Sequence, residues 1–243
     1  MMQVSPEYTD VAQLACVLGA RGYAIVSPGG VAQLTGCRPD ELDALLPAWE
    51  SLPLDTYLRD GGKYRRRRHS CFLVGDGEVV QAPHRAHWQP VEYNALHGGL
   101  RRWFEPMLVA EDTRPGWSRI LLGLGGVFSQ LRAARPWYVE AHQFRIETTG
   151  GIGRPTPEGA HRDGVSFVGV FLLARRDIKG GETRVFDAHG SGGQRFTLQE
   201  PWSLLLLDDE RVIHETTPIQ PAGPAGHRDT LVLTYREGGF QGG

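Results

Sequence analysis

Apolar positions in the first part of the chain recur at helical spacing. In PEYTDVAQLACVLGARG they fall at Val11, Leu14, Ala15 and Leu18, one face of a helix that Gly19 and Gly22 close. GYAIVS then predicts a short strand, and PDELDALLPAWESL a second helix opened by Pro39 and Asp40. NALHGGLRRWFEPMLVAED and SRILLGLGGVFSQLRAAR carry the same period and predict further helices, the last one weakened by Gly123, Gly125 and Gly126. After Pro136 the pattern changes to short strand-like runs: VEAHQFRIET, VSFVGVFLLARR, ETRVFD, QRFTLQ, SLLLLDD, RVIHETTPI and DTLVLTYRE. Many are separated by glycine- or proline-rich turns such as GGIGRPTPEG, KGGE, HGSGG and PAGPAG. Such a series predicts a sandwich or barrel. The expectation is a single α+β domain over 1–243. Residues 1–136 form a mainly helical support region with a few strands, and 137–238 the β core.

Composition narrows the class. At 243 residues with 40% hydrophobic and 22% charged side chains, the chain can bury a sizeable core. A net charge of −2 sets up no field that would draw in nucleic acid or an anionic membrane. The 3 cysteines, Cys16, Cys37 and Cys71, are odd in number and widely spaced, which predicts no disulfide framework and a reducing compartment. The N-terminal stretch has no basic segment leading into an apolar run, and no run is long enough to span a bilayer. The expectation is a cytoplasmic protein with no membrane or nucleic-acid partner.

Candidate chemistry lies at the start of the most apolar strand, in EGAHRDGVSFVGVFLL. Residues i and i+2 of a strand share a face, so His161 and Asp163 would form a clamp of one nitrogen and one oxygen donor. The competing reading has His161 capping the strand and Asp163 in an Asx turn with Gly164. A second histidine, His214, stands in RVIHETTPI, and two histidines with one carboxylate make the facial triad of non-haem Fe(II) oxygenases. Further on, HRDTLVLTY places Arg228 and Thr230 on one face, able to hold a carboxylate by a bidentate ion pair and a hydrogen bond.

The order His-x-Asp, distal His, Arg-x-Thr, within the words HQFRIETTG, PEGAHRDGVSFV, GGETRVFD, LDDERVIHETTPI and GHRDTLVLTY, resembles the bacterial Fe(II)/2-oxoglutarate dioxygenases that include the L-isoleucine hydroxylases acting on free amino acids. The resemblance covers roughly residues 57–237 and is most specific from 140 to 236. It implies a double-stranded β-helix (jelly-roll, cupin-like) core with flanking N-terminal helices. It implies Fe(II) as cofactor, with 2-oxoglutarate and O2 as co-substrates. His161, Asp163 and His214 would hold the iron, and Arg228 with Thr230 the far carboxylate of 2-oxoglutarate. The carboxylate at Asp163 sets the chain apart from the halogenating variant of this chemistry, which lacks it. The implied activity is hydroxylation of an unactivated C–H bond of a free L-amino acid, with release of succinate and CO2. The alternatives are the same chemistry on a tethered or larger natural product, or a jelly-roll binding protein without iron.

Other residues carry weaker expectations. Gln143 and Arg145 alternate onto one face and would line the co-substrate site, with His142 facing away as a structural residue; the competing reading leaves the pair solvated. The run KYRRRRHS puts Arg66 and Arg68 on one side of a strand and Arg65 and Arg67 on the other. It reads as a solvated basic face or, with Arg66 and Arg68 named, as the cation for a substrate carboxylate. Glu158 would supply the matching anion, and Phe72 or Trp88 an apolar lining. His84 and His87 lie between Pro83 and Pro90 and read as loop residues. GLGG at 123–126 is no dinucleotide fingerprint, and no P-loop or GxSxG occurs.

Overall fold

The computed structural model describes residues 4–94, 96–133 and 135–242. A 3-10 turn capped by Asp10 leads into α1 (Leu14–Arg21), which ends where Gly22 takes a left-handed conformation at φ 77°. Strand β1 (Tyr23–Val26) follows. Helix α2 (Pro28–Thr35), which the apolar pattern does not announce, is set by Ser27 capping the Gly30 N–H and by Pro28 in the first turn. PDELDALLPAWESL does not form one helix. It gives a short α3 (Pro39–Asp43) and a separate 3-10 turn, Leu46–Trp49. Pro47 is the reason: in a continuous helix its ring would clash with the carbonyl of Asp43, where α3 stops.

The predicted helix over 94–112 is absent among the described residues. The segment turns through Gly99 at φ 75° and then pairs with the preceding loop in a bridge between His87 and Arg102. The apolar residues that suggested a helical face, Leu100, Trp103 and Leu108, are exposed, while Asn94, His97 and Arg102 point inward. Phe104 and Met107 are buried from this non-helical path, which also carries the polar side chains inward.

The remaining elements are β2 (Arg65–Gly75), β3 (Glu78–Gln81), α4 (Arg114–Leu131), β4 (Trp137–Glu147), β5 (Phe167–Arg176), β6 (Ile178–Gly180), β7 (Thr183–Asp187), β8 (Gly193–Phe196), β9 (Leu204–Asp208), β10 (Val212–Thr216), β11 (Ile219–Pro221) and β12 (His227–Arg236). A 7-stranded sheet runs β1-β9-β5-β12-β4-β2-β3, beside a 3-stranded sheet β10-β7-β8 and a 2-stranded pair β11-β6. Strands before residue 136 thus complete the large sheet instead of only supporting it. The architecture is α+β with a jelly-roll core. No helix among the described residues is long and apolar enough to cross a membrane.

Each strand of the large sheet divides its side chains between two layers. One face carries Val139, Ala141, Phe167, Phe171, Leu231, Leu233 and Tyr235 and packs under α1 and α4 through Leu14, Leu18, Ile120, Leu124 and Phe128. The other carries Val168 and Leu172, which meet Val185, Phe196 and Val212 of the small sheet. The glycines of α4 allow its close packing. A Cβ on Gly123 would lie 3.0 Å from the Leu34 carbonyl of α2. Gly123→Leu is therefore expected to push α2 and α4 apart and lower stability by about 1–3 kcal/mol, readable as a lower urea midpoint.

Candidate active site

The inner face of the large sheet holds a cavity of about 120 Å³ toward the β2–β4–β12 end. Register places the side chains of this face in rows across the strands: Arg65, Ile146 and Arg228; then Arg67, Phe144 and Thr230; then His69, His142 and Val232; then Cys71, Glu140 and Thr234. The β2–β4 side of this wall is charged and polar. The side toward β5 is apolar, with Val170 and Val232.

His161 and Asp163 lie just ahead of β5 rather than inside a strand, and His214 is on β10. A backbone bridge between His161 and His214 brings the imidazoles together, with ring centroids 4.7 Å apart. His161 Nε2 is 3.8 Å from Asp163 Oδ1, and His214 Nε2 is 3.8 Å from Asp163 Oδ2. His161 Nδ1 donates to the Gly159 carbonyl at 2.9 Å, so its Nε2 lone pair faces the group. Asp209 holds the backbone here. Its carboxylate accepts from the N–H groups of Asp163, Gly164 and Val165 at 2.9, 2.8 and 3.1 Å. Burial raises the Asp163 carboxyl above its ordinary range, and Glu158 adds to the rise against the opposing pull of His161. Burial and Asp163 together push Asp209 up to about 7, against its backbone hydrogen bonds. Two imidazole nitrogens and a crowd of carboxylates short of positive charge fit a divalent cation.

Opposite this group, Arg228 is buried at 4% exposure and makes no ion pair among the described residues. Burial lowers its guanidinium to about 10, with Arg175 adding to the effect. Thr230 is one inward position further along the same strand. A buried cation facing a cavity beside a hydroxyl has the chemistry to hold a carboxylate.

A model of the 2OG-Fe dioxygenase family matches residues 46–234. The chain belongs to that family. The dioxygenase therefore works with Fe(II), 2-oxoglutarate and O2. It is similar to a bsmA homologue from Methylobium petroleophilum PM1, 52% identical over 99% of each chain with a TM-score of 0.91. Its fold is shared by IDO from Bacillus thuringiensis, 16% identical, covering 95% of this chain and 100% of that one at a TM-score of 0.75. It is shared too by the Fe(II)/α-ketoglutarate-dependent dioxygenase TqaL, 18% identical, covering 96% and 88% at 0.69. No match to this sequence is found among curated proteins.

A second group of metal-binding residue types lies beside the dioxygenase cavity: His87, Glu140 and His142 line it, and His69 stands behind them. Its geometry differs from that of the triad. Glu140 Oε2 accepts from His69 Nε2 at 2.9 Å and from His87 Nδ1 at 2.6 Å, and Arg67 Nη2 donates to His142 Nδ1 at 2.7 Å. Burial would raise the Glu140 carboxyl, but His87 and the two hydrogen bonds outweigh it and keep it ionised. Burial lowers His87 to about 3, and it lowers His69 and His142 as well, so the imidazoles stay neutral. Glu140 is thus engaged by His69 and His87, and the Arg67 cation occupies His142 Nδ1. That is a hydrogen-bonded network, whereas the triad's ligand atoms make no hydrogen bond to one another, and Gln89 engages only Asp163 Oδ1.

The dioxygenase structure moves several predicted residues. Gln143 and Arg145 are on the helix side of β4: Gln143 lines a different cavity with Trp49 and Trp117, and Arg145 pairs with Asp229 and Glu50 at 2.8 Å each. His142, expected to face away, lines the active cavity instead. Arg66 pairs with Glu147 at 3.0 Å and Arg68 with Glu105 at 2.8 Å, so neither reaches the cavity; Arg65 and Arg67 do. Phe72 packs on Trp117 in the core, and Trp88 lies against Gly242, outside the lining. Glu158 does line it, with Oε1 3.6 Å from His161 Nε2 and Oε2 unpartnered. Sequence reasoning missed Arg65, Arg67, Gln89, Arg102 and Glu140. For the strand residues the signal was parity: apolar Phe72 and Val74 share a face with Arg66 and Arg68, and Val139 and Ala141 share one with Gln143 and Arg145.

Proposed function

We propose that this dioxygenase hydroxylates an unactivated C–H bond of a free L-amino acid, converting 2-oxoglutarate and O2 to succinate and CO2 as the substrate gains a hydroxyl group. His161, Asp163 and His214 hold Fe(II), and Arg228 with Thr230 holds the 5-carboxylate of 2-oxoglutarate. Iron with its two co-substrates supplies the oxidising chemistry. The protein residues orient the reactants and keep water out.

One observation carries the substrate reading. Arg102 is 2% exposed, lines the cavity and makes no ion pair among the described residues, while the Glu158 carboxylate in the same cavity has an oxygen without a partner. A buried cation and a buried anion, each short of a partner, are met together by a molecule that carries both charges. The ammonium and carboxylate of a free amino acid supply them. The fixed charges on this side of the cavity also balance: Arg65, Arg67 and Arg102 are matched by Asp55, Glu140 and Glu158. A substrate with no net charge keeps that balance, which favours an uncharged side chain over an acidic or basic one. The apolar wall of Val170 and Val232 suits such a side chain.

The test is 2-oxoglutarate consumption with free aliphatic and polar amino acids, their N-acetyl forms and their amides. The free acids are expected to stimulate turnover, and blocking either charge to cost at least roughly tenfold in kcat/KM, the equivalent of one lost charge-assisted contact. Equal stimulation by the blocked forms would move the substrate to a tethered or larger molecule.

A further inference from the structure

We propose that Gln89 is the positioning residue for Asp163, and that it joins this iron-binding carboxylate to the substrate-facing cation Arg102. Gln89 lies in the loop after β3 and is 6% exposed. Its Nε2 donates to Asp163 Oδ1 at 3.1 Å. Its Oε1 accepts from Asn94 Nδ2 at 3.1 Å and from Arg102 Nη2 at 2.9 Å. Arginine has no acceptor atom, so Arg102 fixes the amide oxygen on its own side. The NH2 group is left with Asp163, a carboxylate that can only accept while ionised. The orientation of Gln89 therefore follows from its partners.

The backbone holds the same arrangement. The His87 and Arg102 main chains exchange both hydrogen bonds at 2.9 Å, and the Gly99 N–H donates to the Gln89 carbonyl at 2.8 Å. Asn94 is pinned in turn, because its Oδ1 accepts from the His97 N–H at 2.7 Å. Gln89 thus cannot swing away without breaking the loop. With Oδ1 of Asp163 tied to Gln89, Oδ2 is the oxygen left facing His214. Contacts of this outer kind orient a ligating group and strengthen its hold on a metal.

The path Arg102–Gln89–Asp163 has a functional consequence. An anion drawn to Arg102 acts on the same amide that orients Asp163, so substrate occupancy and metal affinity are coupled, and linkage makes that coupling reciprocal. The Arg102 half of this proposal rests on the amino-acid reading, while the Gln89–Asp163 contact stands without it.

The experiment measures Mn(II) binding to the metal-free protein, by the electron paramagnetic resonance signal of free Mn(II), together with the thermal midpoint of the metal-free protein. Gln89→Met keeps length and bulk but removes both kinds of hydrogen bond. It is expected to weaken Mn(II) binding roughly 10- to 100-fold, with a lower metal-free midpoint but still a cooperative transition that shows the variant is folded. Gln89→Ala replaces it if the methionine variant does not fold. Arg102→Met, which touches neither the metal site nor Asp163, is expected to lose affinity by a smaller factor, on the order of 2- to 10-fold. Wild-type affinity in the folded Gln89 variant overturns the positioning role. Wild-type affinity in Arg102→Met overturns the link to the substrate side. No amino acid enters this assay, so its result and that of the substrate panel can fail independently.

Discussion

Alanine at His161, Asp163 or His214 is expected to abolish 2-oxoglutarate turnover in each case and to leave the chain folded. A direct ligand lost from a site built for three weakens the hold on Fe(II) and opens a position to water, so the loss should exceed the roughly 10- to 100-fold that a missing outer contact costs. The fold should survive because none of the triad belongs to the two apolar clusters that hold the layers together. His161 and Asp163 are in a loop whose backbone is tied down by Asp209. Asp163→Ala should even relieve the metal-free protein, since the buried Asp163 charge pushes the neighbouring Asp209 carboxyl up. Succinate formation, bound iron per chain and the thermal midpoint of each variant check this. Near-normal succinate formation in any one variant removes that residue from the site.

Arg228→Ala is expected to raise the KM for 2-oxoglutarate while leaving the 2-oxoglutarate-free protein at least as stable as wild type. Truncating one partner of a buried, hydrogen-bonded charge pair costs about 2–5 kcal/mol, a factor of roughly 30 to several thousand in affinity. The sign for stability is opposite. Without the co-substrate, Arg228 is a buried cation with no carboxylate against it, and its lowered pKa records that cost. Thr230→Val should cost about 1 kcal/mol, one neutral hydrogen bond. Initial rates against 2-oxoglutarate concentration measure both. An unchanged KM in Arg228→Ala would show that another cation takes the carboxylate. Arg145 is not available for that, tied to Asp229 and Glu50 on the far side of the sheet.

The sequence by itself determined the fold class and brought forward the residues proposed for the iron and co-substrate sites. Alternating apolar runs after Pro136 could bury their faces only as stacked sheets, and His161, Asp163, His214, Arg228 and Thr230 all line one cavity. Those groups are read from short words because their spacing is local: a residue and its second neighbour, or a histidine inside a recognisable strand. The substrate side was decided elsewhere. Which half of KYRRRRHS and HQFRI faces the cavity depends on parity, and parity is fixed by which neighbours the helices cover: Phe72, Val74, Val139 and Ala141 go to the helix side, so Arg65, Arg67, His142 and Glu140 go inward. The loop over 82–112 was decided by tertiary structure alone. Its helical spacing misled because helical propensity is a weak prior that tertiary contacts override, and here a hydrogen bond to Gln89, itself bound to Asp163, holds Arg102 in the interior.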